Sequence, residues 1–191
     1  MNTVNPIKDI NKINEMKEYF KKNGLNKELA LFTFGINTGL RISDILNLKW
    51  EDVYDNNFKI IKIKEQKTGK TKMFPINKVL KESLKSIMPK EFAPFDYIFK
   101  SESNRVKAQN KAWSRAYVWE FINKAAKASG IKEEVGTHTL RKTFGYHAYN
   151  NGTSIELIQK IFNHSSSAIT LRYIGITQED INDVYLKVVN L

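Results

Sequence analysis

Four short segments carry side chains that suit chemistry at phosphorus. "HTLR" sets His138 and Arg141 three residues apart, so the two share a helix face. Near a helix N-terminus such a pair can bind a phosphate with help from the dipole. "TGLRISD" supplies Arg41 behind a glycine, with Asp44 one turn later, and "QKTGK" puts Lys67 where a flexible loop can carry an ammonium to a ligand. In "FNHSSSAITLRYIGI", His164 is followed nine residues on by Tyr173. A phenol titrates near ~10, so its attack on phosphorus needs a base or a lowered pKa. Charge that builds on the non-bridging oxygens must be neutralised, and guanidinium forks match two such oxygens. A lysine or histidine can protonate the departing oxygen. Each segment alone has a plainer reading: a surface His/Arg pair, an Arg41–Asp44 ion pair, one lysine among many, a histidine at a helix end. Together, Arg41, Lys67, His138, Arg141, His164 and Tyr173 cover every task that the chemistry sets.

The elements that must position them follow from apolar spacing. Ile10, Ile13, Met16, Tyr19 and Phe20 predict a helix over 8–22, stopped by Gly24. Asn26 is the expected cap of a second helix carrying Leu29, Leu31, Phe32 and Phe34, closed at Gly39. A short helix follows at "SDILNL". "FKIIKIKE" and "KMFPI" flank "QKTGKT" and read as a β-hairpin, with Pro75 tolerated on an edge strand. Helices return near residue 77 and in "AQNKAWSRAYVWEFINKAAKASG", where Trp113, Tyr117, Phe121 and Ala125 form a stripe expected to be core. "THTLRKTFGYHAYNNG" is helical, with Leu140, Phe144 and His147 facing a core and Gly145 open to close approach. Thr153 with Glu156 and Thr177 with Asp180 are candidate capping boxes for the last helices. The fold class expected is α+β, mainly helical, with one small antiparallel sheet.

Composition narrows the partners. Among 191 residues, 31 Lys and Arg face 20 Asp and Glu, a net charge of +11 that favours a polyanion. From Phe58 to Lys90 ten lysines meet two glutamates, a local balance of +8. With no cysteine and three histidines, thiolate chemistry, disulfides and cysteine or histidine-rich metal sites are excluded or disfavoured. No secretory leader and no membrane-spanning run is expected, and the chain reads as a cytoplasmic protein.

The ordered set "TGLRISD", "QKTGK", "HTLR" and "NH" with a tyrosine nine residues on resembles the tyrosine recombinase (phage integrase) family, from about residue 26 to the end. The resemblance implies the catalytic-domain fold of that family over 26–191, with 1–25 as a helical lead-in. It implies that Arg41 and Arg141 hold the scissile phosphate and that Lys67 protonates the leaving 5′-oxygen. His138 would act as general acid/base, His164 would hydrogen-bond a non-bridging oxygen, and Asp44 would orient the arginine and histidine. Tyr173 would form a 3′-phosphotyrosyl ester, a covalent store of bond energy that needs neither ATP nor a metal cofactor. The implied partner is double-stranded DNA, gripped by a homo-tetramer on two sites, with a lone monomer as the solution alternative. Lys70, Lys72, Arg105, Lys111, Arg115 and Lys142 are the candidate DNA-backbone contacts.

Three departures from the family pattern stand out. Asn163 replaces the usual Gly before the second histidine, and asparagine enters the left-handed region most readily after glycine. Lys142 stands where the family often has His. The roughly 25 residues ahead of the motifs are too few for the family's helical core-binding domain, so either an excised catalytic fragment or a minimal enzyme similar to the fimbrial-switch invertases is expected. Ile181, Val184, Tyr185, Val188 and Leu191 give the last helix an apolar face, to be docked on its own chain or on a neighbouring protomer. A type IB topoisomerase and a non-cleaving repressor of recombinase fold are the alternative functions.

Overall fold

The computed structural model describes residues 4–54, 57–102 and 110–188. Arg105 and Leu191 lie outside them. Helix α1 (Ile10–Lys22) starts at Asp9, whose carboxylate accepts from the Asn11 amide at 2.7 Å, and buries Ile13, Met16 and Phe20. Helix α2 (Asn26–Thr38) is apolar around most of its circumference and therefore becomes the central helix. It packs against α1, α5 (Lys78–Ile87), α6 (Arg115–Ala128) and α7 (Thr137–Asn150). Asn26 is not its cap. Leu25 takes that position without a side-chain bond, because its amide donates to the Phe20 carbonyl and its side chain packs on the core.

Gly39, at φ 60°, ends α2 in the left-handed conformation, and α3 (Ile42–Leu46) and α4 (Glu51–Tyr54) follow. The hairpin is present as read: β1 (Ile60–Lys64) pairs antiparallel with β2 (Thr71–Pro75), Ile61 facing Phe74 and Ile63 facing Lys72. In this two-stranded sheet both strands are edges, so Pro75 removes no interior ladder bond. In α6, Phe121 and Ala125 are core, and Trp113, Tyr117 and Phe121 stack edge to face at 5.0 and 5.5 Å. The Tyr117 hydroxyl emerges from that stripe to donate to the buried Glu28 carboxylate.

A second, smaller cluster lies where α7 meets α8 (Ile155–Phe162) and α9 (Ser167–Ile174), built on Phe162, Ile158 and Ile174 with Phe144 and Tyr173 against them. Ser154, one residue after the expected Thr153, caps α8 by accepting from the Leu157 amide. Thr177 and Asp180 do form a reciprocal box at α10 (Gln178–Asp183), which runs into one π-helical turn, Val184–Val188. Ile181, Tyr185 and Leu186 are exposed there. The lead-in residues lie along α7: the Ile7 amide donates to Thr143 Oγ1 at 2.9 Å, and Pro6 covers Gly175 at the end of α9.

Gly145 is where α7 admits this cluster. A Cβ there would sit 2.6 Å from Ile174 Cγ2 and 2.8 Å from the Phe162 ring, so side chains rather than another backbone fill the space. Both neighbours are fully buried and have nowhere to retreat. Gly145→Ala should therefore destabilise the fold by about 1–3 kcal/mol despite alanine's better helix propensity. Urea denaturation checks this: a midpoint at or above wild type would refute the crowding.

Candidate active site

Arg141 sits at the bottom of the site, 2 % exposed. Its Nη1 donates to the Gly39 carbonyl at 2.6 Å and its Nη2 to the Phe162 carbonyl at 2.7 Å, and the guanidinium lies 4.2 Å from the centre of the Phe162 ring. These carbonyls close the C-terminal ends of α2 and α8, where helix dipoles are negative and attract a cation. Burial, with Arg41 nearby, pulls the group down to about 10, so it stays charged at neutral pH.

Arg41 leaves the Gly39 turn and enters the same space. Its Nη1 donates to Glu65 Oε1 at 3.0 Å and stands 4.0 Å from Asp44 Oδ2. Glu65 is thus the closer carboxylate, a residue the motifs did not single out. Only its neighbourhood to Lys67 and the alternation of β1 marked it. Asp44 instead uses Oδ1 to accept from the Gln66 amide at 2.9 Å and pins the hairpin loop at its second residue. Its Oδ2 is buried without a hydrogen-bond donor.

Tyr173, on α9, is half-buried between Phe162 and His164, with ring centres 5.6 and 5.0 Å away. Its hydroxyl lies 3.3 Å from His138 Nδ1. Burial pushes the phenol up while Arg141 and Arg41 pull against it, and it is protonated at rest. Desolvation, then Arg115, Arg141, Lys142 and Arg41, hold His138 below its usual value. A neutral imidazole at the rim of the site is thereby free to accept the phenol's proton. Lys142 is buried, its ammonium 5.2 Å from the centre of the Tyr173 ring, so it faces the tyrosine rather than the outer surface.

His164 follows Asn163, whose φ of 54° supplies the left-handed turn that glycine would otherwise provide. His164 Nδ1 lies 3.1 Å from Thr170 Oγ1, which can also donate to the Ser166 carbonyl at 3.1 Å. Burial and the two arginines keep His164 neutral. A neutral ring can present an Nε2–H to an oxyanion only when the Thr170 hydroxyl turns to donate to Nδ1. Thr170, fully buried, is a further residue that the motifs passed over.

Lys67 is the one member of the expected set that stands apart, exposed at the hairpin tip. Lys72 instead reaches inward: its Nζ donates to the Ile161 carbonyl at 2.6 Å and lies 3.9 Å from Glu65. Of the expected backbone contacts, Lys70 is exposed and donates to Asn163 Oδ1 at 3.1 Å, and Lys111 and Arg115 are exposed, the charge of Arg115 being near enough to help lower His138. Among the described residues no cluster of potential metal ligands is present.

The arrangement gathers two guanidinium groups, two neutral imidazoles and a phenol around one opening. A family model described as the phage integrase family matches residues 6–180. The chain belongs to the phage integrase family. The match begins at residue 6, ahead of the expected start near residue 26, and Phe20 of this stretch packs on Phe32 and Phe121. This integrase-family chain is 41% identical over 185 residues to the Bacillus subtilis protein named "Probable integrase/recombinase YoeC", covering 97% of each. It is 28% identical to tyrosine recombinase XerA of Pyrococcus horikoshii over 85% of its own length, and spans 54% of that relative. Among solved structures, XerA recombinase aligns with TM-score 0.75 at 23% identity, over 100% of this chain and 67% of that one. XerH, crystallised with its difH substrate after cleavage, aligns with TM-score 0.70 at 19% identity over 98% of this chain and 54% of that one. These likenesses establish the fold as that of tyrosine recombinase catalytic domains.

Thr170→Val keeps the shape of threonine and removes the hydroxyl that can set the His164 tautomer. Imidazole 15N NMR should show phosphate shifting His164 toward the Nε2–H form in the native protein and leaving it unmoved in the variant. An equal shift in both would remove Thr170 from the site.

Proposed function

We propose that this chain is a site-specific DNA recombinase that breaks and rejoins strands through Tyr173. The observation that carries the reading is the Tyr173 hydroxyl 3.3 Å from His138 Nδ1, beside the buried Arg141. The phenol oxygen attacks the scissile phosphorus while its proton passes to His138. The bond to the 5′-oxygen breaks, and that oxygen takes a proton from Lys67 at the hairpin tip. A 3′-phosphotyrosyl ester and a free 5′-hydroxyl result. Arg41 and Arg141 hold the non-bridging oxygens, where fixed donors stabilise developing charge, and His164 donates from Nε2. Attack by another strand's 5′-hydroxyl reverses the step and joins the exchanged ends.

Double-stranded DNA is the partner that the +11 charge favours, as does the likeness to XerH in its complex with difH. Residues 26–191 act as the catalytic domain, with 1–25 as a lead-in that shares its core. Ile181, Tyr185 and Leu186, exposed beyond the box of Thr177 and Asp180, are suited to docking on a neighbouring protomer of a tetramer bound to two DNA sites. We place this action on DNA in the cytoplasm; no helix among the described residues is long and apolar enough to cross a membrane.

A nicked substrate carrying the cognate site, incubated in EDTA and run on a denaturing gel, tests this. A covalent protein–DNA band is expected from the native chain and none from Tyr173→Phe. Tight binding without a band would favour the repressor. The rate should also fall as pH drops through the depressed value of His138, because the protonated ring cannot take the phenol's proton. That acid limb lies below about 6.5, the histidine's usual value. A rate that is flat through that range would exclude His138 as the base.

A further inference from the structure

The hairpin is fastened to the α8–α9 turn at two points that the proposed reaction does not use. Lys72 Nζ donates to the Ile161 carbonyl at 2.6 Å, next in the chain to the Phe162 carbonyl that Arg141 holds. Lys70 Nζ donates to Asn163 Oδ1 at 3.1 Å. The second tie exists because Asn163 makes the left-handed turn with a residue that has a side-chain acceptor, which glycine lacks. Between these points and β1, Glu65 closes the loop: its Oε2 accepts from Thr68 Oγ1 at 2.7 Å and its Oε1 accepts from Arg41. Lys67 sits between Glu65 and Thr68 on this braced loop.

Resting on the functional reading above, we propose that Lys72 is a positioning residue. Its tie to Ile161, seconded by Lys70 on Asn163, holds the hairpin so that Lys67 reaches the leaving 5′-oxygen in register with His164. In the proposed role Lys72 bears on the protein's own hairpin and helix end rather than on the substrate. It acts by fixing where the proton donor's loop leaves β2. The side chain is only 22% exposed, so its charge is spent on the protein's own carbonyl and on Glu65. Burial, then the neighbouring Arg141, pulls Lys72 down to about 8, so the tie weakens as pH rises past that value.

A scissile phosphate with sulfur in place of the bridging 5′-oxygen separates positioning of the acid from general damage, since a leaving thiolate needs no proton. Lys72→Met should cleave the oxygen substrate on the order of 100-fold more slowly, the scale of a misplaced catalytic group. It should cleave the sulfur substrate near the wild-type rate. Lys72→Arg should recover much of the loss. Asn163→Gly, which keeps the turn and cannot fail through it, should show the same preference for sulfur to a smaller degree. Equal losses on both substrates, or an undiminished rate on oxygen, would overturn the proposal. So would weaker DNA binding with a shallower salt dependence, because Lys72 would then be a phosphate contact. Amide exchange at Gly69, whose N–H donates to the Glu65 carbonyl at 2.8 Å, reads the loop without catalysis and should quicken in Lys72→Met. A native chain that cleaves neither substrate overturns the recombinase reading, and unchanged Gly69 exchange in the variant overturns the brace.

Discussion

A buried guanidinium between two helix ends organises this molecule. An unpaired cation at the depth of Arg141 would cost several kcal/mol. The structure offsets that cost with the Gly39 and Phe162 carbonyls and with the face of the Phe162 ring. Both carbonyls are available because α2 and α8 stop in left-handed turns, at Gly39 and Asn163. The same turns decide where the chain goes next. Arg41 is two residues beyond the first and His164 one beyond the second, so both helix ends that hold Arg141 also aim another candidate group at the opening. The crowding at Gly145 belongs to this arrangement too, since it lets Phe162 and Ile174 press against α7 directly below Tyr173.

Charge explains why the pocket suits an anion. Arg41 and Arg141 stand close enough to lower His138 and His164 and to oppose the burial that raises Tyr173. In the free protein, Glu65 and the helix-end carbonyls hold this excess in check. Under the proposed function, a phosphate between the guanidiniums would meet donors already fixed in place, with little reorganisation left for the moment of reaction. Burial first, and this field second, keep the histidines neutral, the form in which one can accept a proton while the other donates a hydrogen bond.

Features governed by neighbours in sequence were legible without coordinates. The hairpin followed from alternation, the cap at Gly39 from its place after an apolar run, and the turn at Asn163 from asparagine's tolerance of positive φ. The chemistry that His138, Arg141, His164 and Tyr173 share, and the resemblance of their motifs to a known family, implied one site, and α7, α8 and α9 do bring these four together. What escaped depends on partners far along the chain. Glu65 and Lys72 matter through Arg41 and Ile161, 24 and 89 residues away. In the sequence Glu65 is marked only by its place beside Lys67, and Lys72 reads as one more phosphate contact on a lysine-rich hairpin. The cap expected at Asn26 falls at Leu25, whose side chain packs on the core, and the one expected at Thr153 falls on Ser154, itself a favoured cap residue. Lys67 shows the converse case: its motif is plain, yet its side chain is exposed at the hairpin tip, while Glu65 of the same loop is the residue that meets Arg41.

The central claim is that Tyr173, and no other residue, takes the DNA strand. Trimming the covalent complex with nuclease and sequencing the modified peptide by mass spectrometry tests it directly. The peptide from Tyr173 to Lys187 also contains Tyr185, so fragment ions choose between a half-buried phenol beside Arg141 and an exposed one on the last turn. The account predicts a 3′-linked phosphonucleotide on Tyr173 alone. A nucleotide on Tyr185, or on any residue outside α9, would contradict it.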